Sequence, residues 1–257
     1  MRMNIFTSPR PVLAALLLWS GIALSNCTVY APMQPVISTV SKAGQVEVTA
    51  GIQGSGRLEA NAVYSPLPHM LLTAGGTYCP DYSAVSGSSF HTQQWEAGLG
   101  SYAPLTQRLQ LTGMLGYGRA RTERSDYDLV LGNTSFIDRT RYQKLFGQVG
   151  LNYLRARHAF GCVYRYTHVQ FDYLYGSDYG GIDVANIDYS YRHEVLGYAR
   201  CGFRFLPPKW QMQFSAGFSS PLSLRDIPDA EDPTGGIQRF ERPALLLGAG
   251  LVFGNKR

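Results

Sequence analysis

Ala244-Leu245-Leu246-Leu247-Gly248-Ala249-Gly250-Leu251-Val252-Phe253 is the stretch that decides the fold. Leu245, Leu247, Ala249, Leu251 and Phe253 fall on one face of an extended chain, and Ala244, Leu246, Gly248, Gly250 and Val252 on the other. Side chains of a strand point alternately to its two sides, so a period of two with unlike faces means β-structure. Working back toward Gln45, the same alternation recurs and predicts strands near 45–53, 57–65, 69–78, 92–102 and 107–119, then near 140–153, 158–170, 192–205, 209–219 and 242–253. The connections take turns in length. Pro66-Leu67-Pro68, Ala103-Pro104-Leu105-Thr106, Arg155-Ala156-Arg157 and Leu206-Pro207-Pro208 are tight, whereas 79–91, 120–139, 171–191 and 220–241 are long. Short turns on one rim and long loops on the other, with an even strand count, are the pattern of a closed antiparallel up-and-down transmembrane β-barrel. About ten strands are expected; eight is the alternative, with the hairpin at Gly54-Ser55-Gly56 outside the barrel.

Alternation does not say which face points inward, because a soluble lipocalin-like barrel alternates too. Three features favour apolar-out. The less apolar face is rich in small residues (Gly75, Gly98, Gly100, Gly116, Gly118, Gly150, Ser215, Gly217), which suit a crowded lumen. The apolar face ends in aromatics at two levels: Tyr64, Tyr153, Phe205, Trp210 and Phe253 toward the short turns, and Tyr78, Trp95, Tyr117 and Phe218 toward the long loops. Such paired girdles mark the two interfaces of a bilayer. The last strand also resembles the terminal signal read by the outer-membrane assembly machinery, with Gly248 and Leu251 before Phe253, although Leu246 and the Gly254–Arg257 extension depart from it.

Composition agrees. Only four of the 23 basic residues are lysines, Lys42, Lys144, Lys209 and Lys256. Soluble exteriors usually carry many mixed charges. The formal net charge of +5 includes Arg2 and Arg10 of the leader and is too mild to argue for nucleic acid. Beyond the leader no apolar run is long enough for a spanning helix, so a membrane reading requires a closed barrel.

At the start of the chain, Arg2 and Arg10 form a positive region and Val12–Leu24 an apolar one, the pattern of a secretory signal peptide over residues 1–26. Leu24-Ser25-Asn26-Cys27 resembles a lipobox, and the resemblance implies lipidation of Cys27. An ordinary signal peptide cut nearby, leaving a stray thiol, is the alternative. Residues 27–44, with Pro32 and Pro35, read as a lipidated linker ahead of a single barrel domain over 45–257. Cys79, Cys162 and Cys201 match neither a metal site nor a disulfide framework.

A lipoprotein signal, a short proline-containing linker and Gly44-Gln45-Val46-Glu47-Val48 opening an alternating barrel together resemble small lipidated outer-membrane β-barrel proteins of the Bacteroidota type. Glu96-Ala97-Gly98-Leu99-Gly100-Ser101-Tyr102, Gly116-Tyr117-Gly118-Arg119 and Phe146-Gly147-Gln148-Val149-Gly150 carry the likeness further. The resemblance implies the bacterial outer membrane as location, and no reaction. Acidic residues after the lipidated cysteine, linked in that phylum to surface export, are absent from Thr28-Val29-Tyr30, which implies an anchor in the periplasmic leaflet.

The lumen-facing parity carries Glu47, Glu59, Glu96 and Glu194 with Arg57, Lys144, Arg165, Arg200 and Arg204. Isolated buried charges are very costly, so these should pair across the bore, with Glu96 as the central acceptor. They either plug and rigidify the barrel or line a narrow ion path. The long loops repeat an Asp-Tyr pair: Asp172-Tyr173, Asp178-Tyr179 and Asp188-Tyr189. Aspartate and tyrosine together suit contact with protein or glycan, and equally suit a merely hydrated loop. His91, His168 and His193 fall near the same rim but on the outward parity, without a nucleophile or paired acid at catalytic spacing.

The sequence therefore reads as a non-catalytic outer-membrane lipoprotein barrel with a structural or interaction role in the envelope. Expected partners are outer-membrane lipid and another envelope protein or glycan, with no cofactor, no metal and no nucleic acid. A narrow ion or solute channel and a lipid-modifying outer-membrane enzyme are the alternatives.

Overall fold

The computed structural model describes residues 30–83, 89–128, 133–155, 157–178, 189–203, 206–207, 209–222 and 243–254. Ten strands follow one another: β1 Val46–Gln53, β2 Leu58–Tyr64, β3 Met70–Ser83, β4 Ser89–Pro104, β5 Leu109–Asp128, β6 Asn133–Leu154, β7 His158–Asp178, β8 Tyr189–Cys201, β9 Trp210–Pro221 and β10 Ala244–Gly254. Each pairs antiparallel with its sequence neighbours, and β10 pairs back onto β1 from Phe253↔Val48 to Gly248↔Gln53, closing the barrel. Closure gives every strand a partner on both sides, the condition for a sheet to stand in lipid. The Gly54-Ser55-Gly56 hairpin belongs to the closed sheet, with Gly56 at φ 77° where its turn requires a glycine.

The faces are inverted relative to a soluble barrel. Leu115 (72% exposed), Leu145, Val149, Ile52, Leu99, Phe160 and Phe214 stand outside. Glutamates, arginines, glutamines and threonines are buried inside. Tyr64, Phe253 and the Trp210–Phe253 ring pair, centroids 5.2 Å apart, end this apolar band at the short-turn rim. Tyr78, Phe218 and the Trp95–Tyr117 pair, 5.7 Å apart, end it toward the long-loop rim. Phe205 lies outside the described residues.

One side of the barrel is taller than the sequence suggests. A tilted strand crosses a bilayer in about 9–11 residues, but β5, β6 and β7 have 20, 22 and 21. Stretches expected as loop, 120–128, 133–139 and 171–178, continue these strands, with Arg121↔Arg141 and Phe136↔Asp178 in register. The alternation weakens there because neither face touches an apolar phase, while the backbone ladder continues. The strands then form a wall beyond the upper girdle.

Candidate functional site

The lumen is filled from within the chain. Residues 30–40, expected as part of a linker outside the barrel, run along the bore, and every one of them is buried. Pro32 and Pro35 lack a donor, and the segment joins no strand. Its carbonyls are satisfied by lumen side chains instead. From the short-turn rim upward, Gln110 Nε2 donates to Val40 O (2.6 Å), Asn152 Nδ2 to Ser38 O (3.0 Å), Arg200 to Ile37 O (3.2 Å) and Gln148 Nε2 to Val36 O (2.8 Å). Higher still, Ser215 Oγ donates to Gln34 Oε1 (2.8 Å), and Gln94 Nε2 (2.5 Å) and Tyr142 Oη (3.4 Å) to Ala31 O. Two strap amides donate to buried carboxylates, Gln34 to Glu59 and Thr39 to Glu47.

Apolar packing accompanies this ladder. Val36 and Val40 cluster with Val63, Leu71, Tyr102 and Met114, and Ile37 with Ala159, Val163, Leu196, Tyr198 and Leu246. Tyr30 packs with Tyr142, Ala120 and Val169 above them. The strap therefore rises from Lys42, beside the first strand's start, to Tyr30, at the level where the tall wall begins.

The charges fall into three groups. At the centre, Glu96 takes Lys144 Nζ at 2.5 Å and Arg165 at 3.1 Å. Arg165 also stacks over Phe146, 4.1 Å from its centroid, and reaches Glu194 at 3.9 Å. Glu194 in turn accepts from Tyr30 Oη (3.1 Å) and Ser219 Oγ (3.2 Å). Near the short-turn rim Arg200 bridges Glu47 at 2.8 Å, and Thr39 donates to the same carboxylate. The third group, on β1 to β3, joins Arg57 to Gln53 and Gln53 to Glu59, with Asn61 and Thr77 also donating to Glu59. Each of these four glutamates thus meets a cation or several donors, which is what makes a buried charge tolerable. Arg204 lies outside the described residues.

Three components of the lumen are absent from the sequence-based set: Arg192, Asp138 of β6, which is buried too, and the strap. Arg192, fully buried, lies over the Tyr30 ring at 4.5 Å and donates to Ser219. It has the parity of Glu194, so the alternation already marked it. The strap itself was signalled by composition: no charged residue occurs from Thr28 to Ser41, while Tyr30, Met33, Val36, Ile37 and Val40 are apolar. A solvated linker is not built that way.

Where strap and wall meet imperfectly, a cavity of about 30 Å³ is lined by Gln34, Glu59, Asn61, Gln213, Ser215 and Gly248. That is room for about one water. Among the described residues, Gln34 Nε2 and Asn61 Oδ1, both on its lining, have no hydrogen-bond partner. Gly248 leaves room for the Gln34 amide, since a Cβ there would lie 2.3 Å from Gln34 Nε2 and that side chain would have to shift.

Of the loop residues, Asp172 and Tyr173 belong to β7, Asp178 is its last residue, and Tyr189 opens β8. Asp172 accepts from Gln143 Nε2 at 3.1 Å, and Tyr189 packs edge-on against Tyr191. Tyr179 and Asp188 lie outside the described residues, as does Cys27. His168 and His193 stand on the outer face among Tyr164, Tyr166, Tyr189 and Tyr191. His193 Nδ1 is 2.6 Å from Tyr164 Oη, and His168 stacks on Tyr191 at 4.9 Å. That is an aromatic girdle with polar tips. Among the described residues no three His, Cys, Asp or Glu side chains converge as metal ligands.

No family model and no curated protein matches the chain. Among solved structures it is similar to the outer membrane protease OmpT from Escherichia coli, with TM-score 0.49 and 8% identity over 82% of this chain and 93% of that one. It is also similar to Acinetobacter baumannii CarO2, with TM-score 0.32 and 11% identity over 83% and 100%. A bacterial polysaccharide outer membrane secretin gives TM-score 0.24 and 6% identity over 85% and 99%. At these identities and scores, neither a residue role nor an activity passes from them to this chain.

Proposed function

We propose that the protein is a plugged β-barrel of the bacterial outer membrane with a non-catalytic role in the envelope, presenting its tall β5–β7 wall and the long loops beyond it at the cell surface. The observation that carries this reading is the strap: residues 30–40 occupy the bore, and most of the lumen charges pair with one another or with it. The apolar outer band and its two girdles support the membrane. The long-loop rim then faces outward, and its Asp-Tyr pairs supply the contact chemistry for an envelope protein or glycan.

The strap also bears on the anchor. A periplasmic anchor would require the chain to leave the bore at the short-turn rim, and the strap rises away from it. Cys27 stands three residues before Tyr30, and three residues span at most about 10 Å. A lipid on Cys27 is therefore proposed for the long-loop side, in the outer leaflet.

Two measurements test this reading. In a planar bilayer the intact chain should give no steady conductance, whereas a chain lacking residues 30–41 should conduct; steady conductance by the intact chain contradicts the plug. An epitope inserted between Thr28 and Val29 should be stained on intact cells. Staining only after permeabilisation would place the N-terminal end in the periplasm.

A further inference from the structure

Outside the barrel, directly above the upper girdle, the β5–β6 wall carries arginines that the lumen network does not use. Arg119 and Arg121 on β5 and Arg141 on β6 are all exposed on the outer face. Arg121 and Arg141 are register partners. Directly opposed residues on neighbouring strands hold their Cβ atoms about 4.5–5.5 Å apart, and like charges placed so destabilise a sheet. Arg119 lies two residues from Arg121, about 7 Å along the strand, and its Nε is tied to Tyr117 Oη at 2.9 Å.

The carboxylates on this outer face are engaged elsewhere among the described residues. Glu123 takes Arg139 at 2.9 Å, and Asp172 takes Gln143 at 3.1 Å. No described carboxylate pairs with Arg121 or Arg141. Below the arginines β5 turns apolar with Tyr117, Leu115 and Leu111, and β6 does so beyond Gln143 with Leu145, Val149 and Leu151.

We infer that Arg119, Arg121 and Arg141 form a binding site for the phosphate of a lipid headgroup, whose acyl chains lie along the Leu115–Leu145 surface beneath. A phosphate carries up to two negative charges and three acceptor oxygens, and guanidinium forks match its geometry. One such group between Arg121 and Arg141 turns a like-charge repulsion into two charge-assisted contacts. The apolar surface adjoining the cations selects an amphiphile over a free anion. The inference rests on the membrane reading above.

The test uses the full chain in detergent, with diphosphoryl lipid A as probe, phosphatidylethanolamine as the zwitterionic control and inorganic phosphate as the soluble one, followed by native mass spectrometry. The unaltered protein should retain lipid A in preference to phosphatidylethanolamine. The double variant R121Q/R141Q should bind it at least about tenfold more weakly, the scale of a lost charge-assisted contact. A thermal scan supplies the second readout. In lipid-free detergent the variant should melt no lower than the parent, because it loses a repulsion, and added lipid A should raise the midpoint of the parent alone. Equal retention of lipid A by parent and variant, or of both lipids by the parent, overturns the site. So does inorganic phosphate giving the same stabilisation with the same arginine dependence, since the ligand would then be a soluble anion. The membrane reading fails separately: a barrel that stays dispersed and folded without detergent would sink it whatever the lipid result.

Discussion

Two charge clusters lie on opposite faces of neighbouring strands, sharing β6, and are built on opposite terms. Inside the bore, Glu96 of β4 faces Lys144 and Arg165 at 2.5 and 3.1 Å, fully buried. Outside, one to three residues further up, Arg119, Arg121 and Arg141 share the exposed face of β5 and β6 without a described acid between them. Around Glu96, where the groups are buried, the chain supplies the counter-charges itself, because a buried unpaired ion costs more than folding has to spare. Where the surface is open, it leaves charges unbalanced, and something outside the chain can supply the balance. The lumen therefore reads as a closed structural system and the outer wall as a recognition surface.

The comparison breaks most visibly when the inner cluster is opened. Replacing Glu96 with alanine strands Lys144 and Arg165 in the bore and should cost about 3–5 kcal/mol, the toll of one partner lost from a buried pair. The readout is the urea midpoint of the detergent-folded barrel, and an unchanged midpoint would mean that water reaches the site. Crowding the strap comes next. Gly248→Leu drives a side chain into the place of Gln34 and should cost about 1–3 kcal/mol by the same assay. A neutral result would mean that the strap yields without loss. Smaller again is Tyr198→Phe. Tyr198 Oη donates at 2.8 Å to Asn152, which holds Ser38 O, so the loss should be about 1 kcal/mol. At the outer wall, Arg121→Gln in lipid-free detergent should be neutral or stabilise by about 0.2–1 kcal/mol, as relief of a cross-strand repulsion predicts. A clear loss of stability there would make the two clusters alike and remove the contrast.

Much of this was legible in the chain because the bilayer writes a strong pattern. The alternation from Leu245 to Phe253 marked a strand with two unlike faces, and β10 lies there, in register with β1 and β9. The lumen parity placed Glu47, Glu59, Glu96, Glu194, Arg57, Lys144, Arg165 and Arg200 inside, and all eight are buried. Parity gave the face and not the grouping, since which cation meets which acid depends on barrel curvature. The upper parts of β5 to β7 were hidden for the converse reason. From Arg119 through Arg121 to Glu123 and from Arg139 to Arg141 the outer face is polar, so no contrast between faces marks a strand that the ladder nevertheless continues. The strap was hidden most deeply. A period of two is imposed by sheet pairing, and residues 30–40 pair with no strand; their prolines suggested a linker, while their want of charge was the sign of burial.

The central claim is that this segment is packed inside the barrel, and amide hydrogen exchange on the full chain in detergent tests it most directly. The amides of Gln34 and Thr39, donated to Glu59 and Glu47 in the bore, should exchange as slowly as those of the neighbouring strands. Exchange at the rate of a free peptide across residues 33–40 would show the strap outside the bore, and the plugged barrel would be wrong.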